Sequence, residues 1–325
     1  MNSGELIMTP VLYLVIPCYN EEQVLPLTSG KFKAKLDELE QAGKISDKSR
    51  VMFVNDGSRD TTWDILTSLC EEDERYAAIS LSRNRGHQNA LIAGLMEAKK
   101  YADITISMDC DGQDDINAIG EMVDEYAKGS EIVFGVRNDR STDTWFKRST
   151  ARSYYKFLRG MGVDIIPDHA DYRLMSSRVL DALEGYGEVN LFLRGIIPQL
   201  GFKQSVVYYS RAEREAGTTH YPLSKMMQLA IDGITSFSVK PLRLITILGL
   251  IVAFLSFVGI IYVFASIIFG HTVGGWASTT CILCFVSGIQ MISLGVIDEY
   301  IGKIYLETKH RPRYIVDERK NLPEE

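Results

Sequence analysis

Short apolar runs alternate with segments of helical period through the first two thirds of the chain. Each run is rich in β-branched or other apolar residues and ends at a turn signal, which is typical of a buried strand. The pattern predicts strands at residues 11–16, 51–54, 77–81, 104–108, 132–136 and 205–209. Strands that alternate with helices form a mostly parallel sheet, and such sheets bind ligands at the carboxyl ends of their strands. We therefore expect an α/β fold with its site at that edge.

Two long uncharged runs follow. Residues 244–270 contain no charged side chain, and Gln290 is the only strongly polar one in residues 276–297. About 20 apolar residues suffice to cross a bilayer, so two transmembrane helices are predicted, with burial in a protein core as the alternative. The connecting residues 271–275 lack Lys and Arg, and the basic residues that flank the outer ends are Lys240, Arg243, Lys303, Lys309, Arg311 and Arg313. The positive-inside rule then places both termini and the large N-terminal region in the cytoplasm.

These patterns divide the chain into four segments. They are a cytosolic domain at 1–222, an amphipathic segment at 223–242, the membrane helices at 243–298 and a charged tail at 299–325. Apolar residues of 223–237 share one helical face, which favours a helix lying on the membrane surface, with packing against the cytosolic domain as the alternative. The tail after Ile315 is expected to be mobile.

Charge and cysteine content exclude two classes of protein. The net charge is −7 and no basic tract interleaved with aromatic residues is present, which argues against a nucleic-acid partner. Five cysteines, an odd number, lie in a chain whose main domain faces a reducing compartment, so no disulfide framework is expected. His87, His169, His271 and His310 form no spacing typical of a metal site.

Polar residues follow the first two predicted strands. Pro17 to Glu22 place a ring, an amide and carboxylates after the first strand, where a nucleotide can bind. A turn in which Asn20 caps the next helix is the competing interpretation. Asn55, Asp56 and Gly57 follow the second strand, where polar groups can bond a base or ribose, although a plain turn explains them almost as well.

The fourth strand is followed by Asp109-Cys110-Asp111-Gly112-Gln113. Two carboxylates at this spacing can reach one hard cation once the backbone turns, and Mg²⁺ or Mn²⁺ suits such oxygen ligands. A cation there neutralises the charge that develops on a departing diphosphate. Helix capping by Asp114 or Asp115 competes as an explanation of the acidic cluster, but a cap needs only one acid.

In this order on these strands, the motifs resemble family 2 glycosyltransferases with the GT-A fold, and within them the polyprenyl-phosphate hexosyltransferases related to dolichol-phosphate mannose synthase. The resemblance covers nearly the whole chain, and the C-terminal hairpin is similar to that of the bactoprenol-phosphate branch. Its further motifs are Arg83-Asn84-Arg85-Gly86, Ala170-Asp171-Tyr172-Arg173-Leu174, Arg214-Glu215-Ala216-Gly217 and Tyr221-Pro222-Leu223.

The resemblance implies a set of site residues. The nucleotide sugar would be bound by Pro17, Tyr19, Asn20, Glu21, Asn55, Asp56, Asp109, Cys110, Arg137, Arg214 and His220. Asp109, Asp111 and Gln113 would surround the metal, and Asp111 and Asp171 would be catalytic. The acceptor phosphate would be bound by Arg140, Lys147, Arg148 and Arg173, although a solvated helix face explains the first three equally well. Two positions depart from the family pattern: Asn55 replaces an Asp, and His220 replaces a Lys.

The implied reaction is inverting attack by a polyprenyl phosphate, such as undecaprenyl phosphate, on the anomeric carbon of a UDP-sugar. A phosphate monoester is largely dianionic at pH 7, so Asp171 would orient the acceptor or manage its last proton. UDP-glucose is the first expectation and UDP-N-acetylglucosamine the second, at the cytoplasmic face of the plasma membrane and in service of the cell envelope. The resemblance also implies a homo-oligomer, with a tetramer as one form. The rival functions are a processive polysaccharide synthase, whose Gln-x-x-Arg-Trp motif is absent, and a non-catalytic membrane scaffold.

Overall fold

The structure is a computed structural model that describes residues 9–137, 169–188, 192–210, 235, 238–269 and 275–323. Its described residues fall into two compact units. One unit holds residues 9–137, 169–188, 192–210 and 312–323, and the other holds residue 235, 238–269 and 275–311.

The first unit is built on one mixed sheet. Its strands are β1 (Leu12–Cys18), β2 (Arg50–Asn55), β3 (Tyr76–Leu81), β4 (Ile104–Ser107), β5 (Ile132–Arg137), β6 (His169–Ser176), β7 (Gln204–Tyr209) and β8 (Val316–Lys320). They lie in the order β7-β5-β6-β4-β1-β2-β3-β8. The central strands β1 to β4 are parallel, whereas β6 runs antiparallel to β4 and β5. The predicted strands are confirmed, and the mostly parallel α/β sheet is the GT-A arrangement that was expected.

Helices connect these strands. They are α1 (Leu25–Gln41), α2 (Thr62–Glu72), α3 (His87–Ala98), α4 (Ala118–Ala127), α5 (Ser177–Glu184) and α6 (Leu193–Gln199). Helix α3 lies directly on β1 and β2 because residue 94 is glycine. A Cβ there would come within 2.5 Å of Val15 Cγ1 and Val54 Cγ2. This contact fixes the helix whose first residue is His87.

The C-terminal tail is ordered, so the expected mobility is wrong. Its strand β8 pairs antiparallel with β3, for example Arg319 with Ile79. Arg319 also forms two hydrogen bonds with the buried carboxylate of Glu97, from Nε at 3.0 Å and from Nη2 at 3.2 Å. Asn321 Nδ2 donates to the carbonyl of Tyr76 at 2.7 Å. The tail therefore adds a strand to the sheet and covers the edge of β3.

The second unit contains two long helices, α7 (Lys240–Ile268) and α8 (Trp276–Thr308). Among the described residues, one stretch, Lys240–Gly259, is long and apolar enough to cross a membrane, and none of it is buried. Tyr300 Oη, in α8, donates to the carbonyl of Ser238, which lies just before the first residue of α7, at 2.5 Å. Apart from Thr235, the predicted amphipathic helix at 223–237 lies outside the described residues.

Candidate active site

The loops that follow β1 and β2 are hydrogen-bonded to each other. The backbone N–H of Asn20 donates to Ser58 Oγ at 3.0 Å, and Asn20 Oδ1 accepts from the backbone N–H of Arg59 at 2.9 Å. Asn20 adopts a left-handed conformation with φ 55°, and it does not cap α1, whose N-cap is Val24. Its amide thus joins two loops at the carboxyl edge of the sheet.

The predicted nucleotide residues on these loops differ in exposure. Tyr19 is 41% exposed, and Pro17 and Glu21 are half-buried, so all three can be reached by a ligand. Asn55 and Asp56 are both buried. The side chains of these two residues are bonded within the protein.

Asn55 supports its own turn. Its Oδ1 accepts from the backbone N–H of Ser58 at 3.1 Å, and its Nδ2 donates to Ser80 Oγ at 2.9 Å, across to β3. Such a side-chain to backbone bond is typical of Asn at a turn. The side chain of Asn55 thus stabilises the turn after β2 and joins it to β3.

Asp56 holds the start of α3. Its Oδ1 accepts from the backbone N–H of Arg85 at 2.7 Å, and its Oδ2 accepts from that of Gly86 at 2.9 Å. Burial raises the pKa of the Asp56 carboxyl above its ordinary value, although these two hydrogen bonds act to lower it. Since Gly86 is the N-cap of α3, Asp56 determines where His87 lies.

The residues predicted to surround the metal follow the end of β4. The side chain of Asp109 is 35% exposed, Asp111 and Gln113 are half-buried, and Cys110 is buried. Asp111 Oδ1 accepts from the backbone N–H of Gln113 at 3.1 Å. Two accessible carboxylates therefore lie at the carboxyl end of a central strand.

Asp171 lies beside this position because β6 pairs antiparallel with β4. Ser107 Oγ donates to the Asp171 carbonyl at 2.5 Å. Arg194 binds the Asp171 carboxylate with two nitrogens, Nη2 at 3.0 Å from Oδ2 and Nε at 3.3 Å from Oδ1. Arg173 forms a further ion pair with Oδ1. Both carboxylate oxygens are thus occupied by guanidinium groups.

His87 joins the two acidic positions, although its spacing in the sequence gave no sign of this. Its Nε2 lies 3.8 Å from Asp109 Oδ1 and 3.4 Å from Asp171 Oδ2, and its side chain is 44% exposed. Neither His87 nor Arg194 was predicted as a site residue. Each is a single residue within an otherwise ordinary helix, so only the tertiary structure brings them to Asp171.

The charges of this cluster shift its pKa values. Burial alone would raise the pKa of Asp171, but the His87 hydrogen bond and the charges of Arg173 and Arg194 lower it well below its usual range. Burial alone would lower the pKa of His87, but the Asp171 hydrogen bond and the charge of Asp109 raise it. A general base works best with a pKa near the operating pH. Asp171 is therefore better suited to hold cationic side chains than to accept a proton.

Arg137 lies at the end of β5, next to a buried acid. Its Nε donates to Tyr209 Oη at 3.4 Å, and Tyr209 Oη donates to Asp114 Oδ1 at 2.6 Å. Burial, together with the charge of Asp109, raises the pKa of Asp114 to about 6. Asp114 is thus bonded to β7 and does not act as a helix cap.

One predicted acceptor contact is wrong. The Arg173 side chain is fully buried on β6, where its guanidinium pairs with Asp171, so it cannot reach an acceptor phosphate. Arg140, Lys147, Arg148, Arg214 and His220 lie outside the described residues.

The carboxylates after β4 fit a divalent cation. Mg²⁺ is usually bound by one or two carboxylates together with substrate phosphates, rather than by a complete protein cage. Asp109 and Asp111 offer two such groups, and the charges of Asp111 and Asp171 add to burial in raising the pKa of Asp109, an effect that a cation would offset. In the described part of the chain, no group of three or more His, Cys, Asp or Glu forms a site. Phosphate oxygens of the substrate are the usual further ligands of such a cation.

Comparison with known proteins gives matches that cover more than nine tenths of the chain. Residues 13–183 match the family described as Glycosyl transferase family 2, and residues 240–304 match the GtrB C-terminal hairpin. The uncharacterized glycosyltransferase YkoT of Bacillus subtilis is 47% identical over 95% of this chain and 91% of its own length. The prophage bactoprenol glucosyl transferase homolog of Escherichia coli is 40% identical over 93% of this chain and 97% of its own. The bactoprenol glucosyl transferase of Shigella phage SfX is 39% identical over 94% of this chain and 99% of its own length.

The sheet, the carboxylates that follow β4 and these similarities lead to one assignment. The chain is a glycosyltransferase that belongs to family 2, in the branch that carries the GtrB C-terminal hairpin.

Proposed function

We propose that this enzyme transfers glucose from UDP-glucose to undecaprenyl or another polyprenyl phosphate, with inversion and with the help of Mg²⁺ or Mn²⁺. The observation that carries the proposal is the similarity to bactoprenol glucosyl transferases over the whole chain, hairpin included. The site supports it, because accessible carboxylates and a cationic group lie next to each other at one edge of the sheet.

The donor would bind along the loops after β1, β2 and β4. Tyr19 is exposed enough to contact the nucleotide, and the diphosphate would approach Asp109 and Asp111. Asp109 and Asp111 would hold a divalent cation, which would neutralise the negative charge on the departing UDP. Arg137, half-buried at the end of β5, adds a positive charge near Asp109.

The acceptor would attack from the opposite side of the sugar. Its phosphate is largely dianionic at pH 7, so it carries its own nucleophilic oxygen and needs little deprotonation. The anomeric C–O bond to UDP breaks as the new bond to the acceptor phosphate oxygen forms, which inverts the configuration. Asp171, ionised and held by two arginines, would organise the acceptor side.

The membrane is the expected place of this reaction. The stretch Lys240–Gly259 and the flanking basic residues support an anchor whose catalytic unit faces the cytoplasm, where the lipid phosphate lies at the bilayer surface. We further propose that α7 and α8 both cross the plasma membrane and that the chain self-associates through them. The lipid-linked sugar would then serve as a donor for cell-envelope glycans.

A panel of donors tests the proposal directly. The purified full-length protein is incubated in detergent with undecaprenyl phosphate, Mn²⁺ and each of UDP-glucose, UDP-N-acetylglucosamine and UDP-galactose. We expect one hexose to be added to each acceptor, and the lipid-linked product to form fastest from UDP-glucose. The phosphate of this product should resist phosphatase until mild acid treatment removes the sugar. A polymeric product would favour a processive synthase, and absence of both UDP release and lipid product from every donor would favour a scaffold.

A further inference from the structure

The imidazole of His87 lies between two carboxylates at the carboxyl edge of the sheet. Its Nε2 is 3.8 Å from Asp109 Oδ1 and 3.4 Å from Asp171 Oδ2. Both carboxylate oxygens therefore lie close to one atom of the ring. A ligand that extends from one carboxylate to the other must pass along the imidazole.

The side chain of His87 is open to such a ligand. Its exposed fraction is 44%, compared with 35% for the side chain of Asp109 and 11% for that of Asp171. Of the three side chains, the imidazole thus has the largest exposed fraction. It is the one that a molecule bound between the two acids contacts most easily.

Charged groups approach the ring from several sides. Burial and the charge of Arg194 act to lower the pKa of His87, whereas Asp171 and Asp109 act to raise it, and the net effect is a rise. The charge of His87 in turn acts on Asp56. An imidazole nitrogen can hydrogen-bond a hydroxyl group whether the ring is neutral or charged, so a contact of this kind does not depend on the balance of these charges. The contacts with Asp109 and Asp171 both use Nε2, and Nδ1 takes part in neither.

The backbone is held on both sides of His87. The N–H of Gly86 donates to Asp56 Oδ2 at 2.9 Å. On the other side, Gln88 Oε1 accepts from the backbone N–H of Leu193 at 3.4 Å, which ties the start of α3 to α6. The first turn of α3 is thus fixed before any substrate binds, which lowers the cost of ordering the imidazole against a ligand.

The proposed reaction brings a sugar to this position. In an inverting transfer the leaving oxygen and the attacking oxygen lie on opposite sides of the anomeric carbon, so the hexose lies between the diphosphate and the acceptor phosphate. In the proposed function the diphosphate approaches Asp109 and Asp111, and Asp171 organises the acceptor side. A residue that lies between Asp109 and Asp171 is then next to the hexose.

We propose that His87 is a specificity-determining residue that hydrogen-bonds a hydroxyl group of the transferred hexose. The inference rests on the proposed function, because this hexose is its substrate. A site that hydrogen-bonds a hydroxyl group discriminates strongly against an analogue that lacks it, because the polar group of the site then loses its partner. His87 would thus contribute to the choice of sugar.

Donors that each lack one hydroxyl group test the assignment in the full-length protein. Each monodeoxy analogue of UDP-glucose is compared with UDP-glucose itself, with undecaprenyl phosphate and Mn²⁺ present. In the unmodified enzyme, loss of the hydroxyl group that His87 contacts should lower kcat/KM about 10-fold or more. In His87→Ala the same analogue should come within about 2-fold of UDP-glucose, because the partner of that hydroxyl group is already absent. The other analogues should lose the same factor in both proteins.

Two further variants separate a sugar contact from a structural effect. His87→Gln should retain part of the discrimination, since an amide also hydrogen-bonds a hydroxyl group. The matched control is Gln88→Ala, which loosens the same turn of α3 by removing the bond to Leu193 and leaves the imidazole in place. It should lower kcat/KM by a similar factor for all donors and keep the discrimination of the unmodified enzyme. The assays are made at a temperature at which unfolding scans show each variant folded.

Three results would overturn the inference. One is an equal loss for each analogue in His87→Ala and in the unmodified enzyme, which would mean that no hydroxyl group is coupled to the ring. A second is the same selective change in Gln88→Ala, which would mean that loosening of α3 is sufficient. In both cases the unmodified enzyme still makes the lipid-linked sugar, so the proposed function stands. The third is a complete lack of lipid product from the unmodified enzyme with every donor, which removes the proposed function and this inference together.

Discussion

The carboxylate of Asp56 and the backbone N–H of Gly86 are joined by a hydrogen bond of 2.9 Å, which ties the end of β2 to the N-cap of α3. The adjacent N–H of Arg85 binds the same carboxylate at 2.7 Å. Asp56 was expected to contact the nucleotide, but it is buried and both of its oxygens are used by this loop. Its effect on the site is therefore transmitted through the position of His87.

Replacement of Asp56 by Ala removes both acceptors. Two backbone N–H groups then lose their partners, and each buried unsatisfied group costs about 1–3 kcal/mol. We expect a clear loss of thermal stability together with reduced transfer activity, measured by unfolding scans and by UDP release. Asp47→Ala is the control, because Asp47 is exposed and its side chain accepts from Ser46 Oγ at the surface. A stability of Asp56→Ala equal to that of the control would contradict the role given to Asp56.

Gly57 allows the loop after β2 to approach the loop after β3. Its φ is +62°, and a Cβ there would lie 2.5 Å from the backbone of Arg83 and Asn84. Gly57→Ala is expected to cost the strain of a left-handed residue, about 1–2 kcal/mol, and in addition to force the two loops apart. Gly43→Ala isolates the first term, because Gly43 has φ +66° with nothing within 4 Å of its would-be Cβ. Equal losses of stability and activity in the two variants would show that the close approach is unimportant.

The carboxylates after β4 predict a dependence on divalent cations. Removal of metal by EDTA should abolish transfer, and Mn²⁺ or Mg²⁺ should restore it. Asp111→Asn should lower the rate on the order of 100-fold or more, since a bound cation supplies several kcal/mol of charge stabilisation. Excess Mn²⁺ should restore part of the rate of Asp111→Asn if the substitution weakens metal binding. Full activity in EDTA would exclude the metal.

Asp171→Asn should weaken the fold as well as the reaction. The buried guanidinium of Arg173 would lose its ionic partner, and breaking a buried ion pair from one side costs about 3–5 kcal/mol. Unfolding scans should show a fall in Tm of several degrees. Arg194→Gln removes the accessible partner of Asp171 and leaves the buried pair intact, so its Tm should change much less. A Tm of Asp171→Asn equal to that of the unmodified protein would mean that the pair contributes nothing.

The ordered tail predicts a stability difference between neighbouring basic residues. Arg319→Gln removes a two-point contact with the buried Glu97 and should cost about 1–3 kcal/mol. Lys320→Gln removes an exposed pair with Glu318 at 3.9 Å and should change stability by less than about 0.5 kcal/mol. Denaturant unfolding of the two variants measures the contrast. A larger loss for Lys320→Gln would contradict the structure of β8.

The apolar strands could be predicted from the sequence for a physical reason. A parallel strand buried on both faces needs a continuous apolar run, as in Leu12–Cys18, and such a run is visible without any tertiary information. The carboxylates Asp109 and Asp111 were visible for a similar reason, since both members of the pair are close together in the sequence.

Other parts of the fold depend on partners that are distant in the sequence. The carboxylate of Asp171 pairs with Arg173 on its own strand, β6, but its second partner, Arg194, comes from α6 further along the chain. Strand β8, Val316–Lys320, lies at the sheet edge with mostly exposed side chains, so it needs no apolar pattern and was mistaken for a mobile tail. His87 and Arg194 belong to the same class, because nothing near them in sequence indicates Asp171.

The position of β8 in the chain has a consequence for synthesis. This strand follows α7 and α8 in the sequence but pairs with β3, which was made long before them. A ribosome therefore synthesises the loops after β1, β2 and β4, with Asp109 and Asp111, and then helices α7 and α8, before the strand that covers β3. A chain interrupted after α8 would carry every site residue described here and still lack Arg319 on Glu97. The sheet is therefore completed only after both long helices have been synthesised.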